Sequence, residues 1–149
     1  MKNSNLLKLS IFLLLIASVF QSCKKDELPE LEFFSAKIGD TFFESADIDV
    51  IQTDDIMAIA ISNSLGQIIN IQLNNVTKGD HSITEDGYPF VTAMIDGDSY
   101  RSITGNFRID EVNNENSYIL GSMEVTLVQE NNSNSSNLTI TDAEFYIFF

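Results

Sequence analysis

The sequence predicts an all-β domain behind an N-terminal signal helix. Its architecture is expected to be an antiparallel β-sandwich or, alternatively, a small open β-barrel. Three observations lead there. Apolar residues recur with period two from residue 33 onward, and no stretch holds a helical repeat for three turns. Turn residues such as Gly39-Asp40, Asn63-Ser64-Leu65-Gly66 and Asp96-Gly97 interrupt the alternation at short intervals. The chain has 149 residues, 44% of them hydrophobic, with only two prolines, which suits one packed domain. Strands with one apolar face each must bury that face, and a sandwich or a barrel does so.

The first segment reads as an address. Met1 to Gln21 carries Lys2 and Lys8 and no acid, and an apolar run extends from Leu9 to Phe20, broken only by Ser10 and Ser18. A permanent membrane helix wants about 20 apolar residues, so this run is too short to span and fits the core of a secretory signal peptide. Residues 1–22 are therefore expected to be the signal peptide, 23–31 a lipidated tether and 32–149 the β domain.

Ser22-Cys23 ends the signal core and resembles a bacterial lipobox, with Phe20 and Gln21 standing where Leu and a small residue are usual. The resemblance implies a diacylglycerol thioether on Cys23, cleavage before it, and acylation (for example by palmitate) of the freed amine. This also accounts for a chain with a single cysteine, since exposed free thiols are otherwise avoided. One acyl chain holds a membrane only marginally, whereas several on one cysteine anchor it durably. Lys24, Lys25, Asp26 and Glu27 follow directly, and Lys25-Asp26-Glu27 resembles the signal that exports Bacteroidota lipoproteins to the outer face of the outer membrane. A periplasm-facing location is the alternative.

Lys24 to Leu31, containing Pro29, reaches at most roughly 25 Å when extended. Phe33–Ile38 and Thr41–Val50 then read as a strand pair around Gly39-Asp40. Asp55–Ser62 and Gln67–Leu73 form a hairpin, and Tyr88–Ile95 and Ser99–Val112 flank Asp96-Gly97, a two-residue turn signal. Ile103, Gly105, Phe107 and Ile109 are expected on one face, opposite Ser102, Thr104, Asn106 and Arg108. Ile119, Gly121, Met123, Val125 and Leu127 repeat the pattern after a loop at Asn113–Asn116. Asn131–Asn137 is a low-complexity Asn/Ser loop before a last strand, Leu138–Phe149. Its end, Phe145-Tyr146-Ile147-Phe148-Phe149, is apolar on both faces and predicts a central strand.

Several phrases resemble a group of Bacteroidota lipoproteins that carry domain of unknown function 6252. They are Phe34-Ser35-Ala36-Lys37-Ile38 followed by Phe42-Phe43; Lys78-Gly79-Asp80-His81-Ser82-Ile83; Ile103-Thr104-Gly105-Asn106-Phe107-Arg108-Ile109; Ile119-Leu120-Gly121-Ser122-Met123; and Ile140-Thr141-Asp142-Ala143-Glu144-Phe145, where Asp-Ala replaces Asn-Gly. The resemblance covers roughly residues 33 to 149. It implies fold and location, and it implies no chemistry.

Charge removes whole classes of function. Eight basic residues face 22 acidic ones, for a net −14; from Cys23 onward, six against 22 give −16. A surface so negative repels nucleic acid. One cysteine and one histidine exclude an internal disulfide, a cysteine-based zinc site and multi-histidine metal centres. His81 is the sole histidine available as a general base, and no nucleophile-elbow phrase accompanies it. Asp47 with Asp49, or Asp54 with Asp55, could pair as glycosidase-type carboxylates only if space brings them together. Asp96 and Asp98, and Glu85-Asp86-Gly87, are calcium candidates without full EF-hand spacing, and Asp-Gly also suits a tight turn. The Asn-x-Ser/Thr patterns starting at Asn75, Asn131, Asn134 and Asn137 read as polar loops.

The expectation is a non-enzymatic, lipid-anchored cell-surface β domain, acting in binding or envelope structure on a protein or glycan ligand, with no cofactor beyond the lipid on Cys23. An envelope hydrolase using acids near His81, or a calcium-stabilised binding module, are the alternatives.

Overall fold

Ten strands run through the residues that the computed structural model describes, 31–130 and 137–149. They are β1 (Phe33–Ile38), β2 (Thr41–Ser45), β3 (Asp47–Gln52), β4 (Ile56–Ser62), β5 (Ile68–Asn74), β6 (Gly79–Thr84), β7 (Phe90–Ile95), β8 (Asp98–Asn113), β9 (Tyr118–Gln129) and β10 (Leu138–Phe148). The signal segment, Cys23, the Lys24–Glu27 motif and residues 131–136 of the Asn/Ser loop lie outside the described residues.

All ten strands belong to one antiparallel sheet, ordered β2-β1-β10-β9-β8-β7-β5-β4-β3, with β6 paired to β8. The all-β antiparallel expectation holds, and of its two architectures the barrel is the one that a single sheet forms. The reason lies at Ala46. Thr41–Val50 reads as one strand, but β2 pairs with β1 while β3 pairs with β4, so a single bent stretch joins the two ends of the sheet. Ser45 makes that corner, its hydroxyl donating to the Ser62 carbonyl and accepting the Asp47 N–H at 2.9 Å. The Ser62 hydroxyl donates back to Asp47 Oδ2 at 2.6 Å. A nearly closed barrel results, with few unpaired edges.

β6 carries only one fully buried apolar side chain, Ile83, so the alternation does not mark it. It runs end to end with β7 along β8, β6 pairing Gly79–Thr84 with Ile109–Thr104 and β7 pairing Thr92–Ile95 with Arg101–Asp98.

Inside the barrel, Phe34, Ile59, Ile71, Phe107 and Phe145 belong to one continuous core. The rings of Phe107 and Phe145 stack at 4.9 Å, and Phe34 meets Phe43 edge-on at 5.8 Å. Gly121 is required here. A Cβ at that position would collide with the Arg108 carbonyl oxygen and lie 2.8 Å from the Phe145 ring. The exterior carries Glu44, Arg108, Glu124 and Glu144, a polar outside around an apolar inside.

Two side-chain phases differ from simple alternation. A bulge between Ser102 and Thr104 shifts the register of β8 against β9. Ser102, expected outside, is fully buried, and Ile103, expected inside, is half-buried. The hydroxyl of Ser102 accepts the Val91 N–H at 3.1 Å. The end of β10 is central, as expected, between β1 and β9. Phe145, Tyr146 and Ile147 are buried, while Phe148 is 39% exposed beside Tyr146.

Candidate functional site: a cavity at one end of the barrel

Strand directions bring distant loops together. β1 begins, and β3, β5, β8 and β10 end, at the same end of the barrel, where Leu31 enters. The loops Thr53–Asp55, Asn75–Lys78 and Asn114–Ser117 sit there with Phe149. Between them lies a cavity of about 280 Å³, open on one side. Its apolar lining is the buried Met57, the half-buried Val76, Val112 and Phe149, and the exposed Ile56. Met57 belongs to the core, and Val76, Val112 and Phe149 pack against it. Asp54, Asp55, Gln52, Asn75, Thr77 and Asn114 form the polar rim.

Hydrogen bonds tie several of the loops that line it. Thr53 closes its own loop, its N–H donating to the Ile56 carbonyl at 2.8 Å and its hydroxyl accepting the Ile56 N–H at 3.3 Å. That turn presents Asp54 and Asp55 side by side. The Asn75 N–H donates to the Asp55 carbonyl at 3.2 Å and ties the second loop to the first. Asn75 has φ +53°, a left-handed geometry that Asn tolerates better than most residues. The Phe149 N–H donates to the Ser117 carbonyl at 2.8 Å. Behind Asn114, the Tyr118 hydroxyl donates to Glu111 and accepts from Asn113 Nδ2 at 3.3 Å. The hydrogen bond to Glu111, and then burial, raise the Tyr118 pKa above its ordinary value.

His81 belongs to this arrangement as a brace. Its Nε2 lies 2.7 Å from the Thr77 carbonyl, so that nitrogen carries the proton and donates. The ring is half-buried beside Leu73, Pro89 and Ile109. Among the described residues, no carboxylate or hydroxyl is hydrogen-bonded to it.

The other sequence-derived candidates are scattered. Asp96 and Gly97 both have positive φ, +55° and +88°, which makes the β7–β8 connection a type I′ turn. Asp96 accepts from Gln67 Nε2 at 3.3 Å, and Asp98 is exposed at the start of β8. Both lie at the barrel end opposite the cavity. Glu85 pairs with Arg101 at 2.6 Å, and Asp47 is engaged by Ser62. Among the described residues, no three His, Cys, Asp or Glu gather as a metal site. Only Asp54 and Asp55 reach the cavity.

Sequence reasoning missed Gln52, Asn114 and Phe149 as site residues, and it met Asn75 and Thr77 only inside a glycosylation pattern. No local signal joins them, because four separate chain segments build the cavity. Comparison with protein-family models, with curated proteins and with solved structures gives no match to the chain.

Proposed function

We propose that this chain is a lipid-anchored outer-membrane lipoprotein, displayed on the cell surface, whose barrel serves as a non-enzymatic binding module. One observation carries the anchoring: the only cysteine, Cys23, directly follows Ser22 at the end of a signal core. The Lys25-Asp26-Glu27 motif and the resemblance to the domain of unknown function 6252 lipoproteins support outward display. A small cavity lined by both apolar and polar side chains supports binding. The hydrolase alternative is the weaker one, since His81 donates its proton to a backbone carbonyl rather than serving a nucleophile.

Replacing Cys23 by Ser in cells tests the anchor. The variant is expected to leave the membrane fraction and to lose labelling by a clickable fatty acid, and unchanged membrane association would refute lipidation. Changing Lys25, Asp26 and Glu27 to Ala should keep the label but shield the protein from protease added to whole cells. Equal sensitivity in both forms would reduce the motif to a tether.

A further inference from the structure

We infer that the cavity at the entry end of the barrel is a saccharide site, taking one ring of a neutral or amino sugar. The inference rests on reading the domain as a binding module and names the ligand class of that module. Shape supplies the first argument. A pit of about 280 Å³, open on one side, admits one compact ring and lets the rest of a chain leave toward solvent. An extended peptide would instead need a groove or a free strand edge.

Hydrogen-bond chemistry points the same way. Gln52, Asn75 and Asn114 each bring a side-chain amide, which donates and accepts in the same plane. Asp54 and Asp55 add acceptor-only carboxylates beside them. A ring of hydroxyl groups, each both donor and acceptor, matches all of these groups at once. A simple cation would use the carboxylates and amide oxygens but none of the three amide N–H donors. Val76, Val112 and Phe149, half-buried against the core, offer apolar surface, one ring among them, to the C–H face of a sugar.

Charge narrows the class. Among the described residues, none that lines the cavity is basic. From Leu31 onward the chain carries four basic against 19 acidic residues, so its field repels anionic sugars and favours neutral or amine-bearing ones. His81 acts as a positioning residue, since it holds the Thr77 carbonyl and through it the wall that Val76 and Thr77 form.

The test uses the full chain in deuterated detergent and saturation-transfer NMR, which detects weak binding. The probes are maltose (neutral), the glucosamine disaccharide chitobiose (amine-bearing) and digalacturonate (anionic). Maltose or chitobiose should receive saturation, and digalacturonate should not. Asn114→Trp, which fills the mouth from an exposed loop, should weaken binding about tenfold or more. The double variant Asp54→Ala, Asp55→Ala should do the same and leaves the backbone hydrogen bonds in place, so a folding defect in either one cannot hide the answer. Asp98→Ala, at the opposite end, should bind as the parent does. Saturation reaching neither neutral nor amine-bearing probe, binding undiminished in both cavity variants, or a preference for digalacturonate would each overturn the assignment. A disaccharide recovered cleaved would instead overturn the non-enzymatic reading while leaving the sugar class standing, so the two failures are separable.

Discussion

Removing the hydroxyl of Ser102 tests the fold at the point where alternation and structure part. Ser102 is fully buried, and its oxygen accepts the Val91 N–H at 3.1 Å. The β7–β8 ladder begins only at Thr92 and Arg101, so this hydroxyl does for Val91 what a ladder carbonyl would otherwise do. Ser102→Ala deletes the acceptor and strands a buried N–H, which costs about 1–3 kcal/mol. Because no solvent reaches the site, the middle of that range, about 2 kcal/mol, is expected. For a domain of this size it corresponds to a fall of roughly 6–10 °C in Tm. Thr104→Ala is the control. Strict alternation places Thr104 and Ser102 on one outward face, but Thr104 is exposed, so its truncation should change stability by no more than about 0.5 kcal/mol. Urea unfolding followed by circular dichroism measures both, and an unchanged slope would show that the unfolded state is the same. Losses within about 0.5 kcal/mol for both variants would refute the bulge and the buried role of Ser102.

Gly121→Ala should destabilise by about 1–3 kcal/mol or more, because the new methyl must push the Arg108 carbonyl and the Phe145 ring away. A urea midpoint equal to the parent's would show that β8 and β9 are not so close. His81→Ala should cost about 0.5–1.5 kcal/mol through the lost bond to Thr77, and faster hydrogen exchange in residues 75–78 should report the loosened wall. A loss of several kcal/mol would give His81 a larger role. The raised Tyr118 pKa favours the neutral phenol in the folded state. Its contribution is full below the ordinary value of 10.0 and is lost as pH rises through the raised folded value. Tyr118→Phe should therefore flatten the alkaline fall of the urea midpoint, and two curves with the same alkaline slope would contradict the Glu111 hydrogen bond.

Local features were legible in the chain, and relations between distant segments were not. The period-two alternation marked β1, β4, β5, β9 and β10, since which side of a strand meets a core is written in successive residues. Asn63–Gly66 and Asp96-Gly97 marked their turns because positive φ and side-chain bonds to nearby backbone are local needs; Asn63 Oδ1 accepts from Leu65 and Gln67, and Gly66 has φ +75°. The expectation for Cys23 likewise came from neighbouring residues alone. The tertiary structure decided the rest. Ala46 bends an unbroken alternation so that β2 and β3 pair with different partners, a choice made by β1 and β4 rather than by residues 41–52 themselves. β8 changes phase at Ser102 because it must pair first with β7 and then with β6, and the bulge accommodates that exchange of neighbours. β6 exists as a strand because β8 offers it an edge and Ile83 finds the core. The cavity needed most of all from the fold. Its rim residues are as far apart in sequence as Gln52 and Asn114, and only the shared direction of the strands beneath their loops brings amide, carboxylate and aromatic groups to one place.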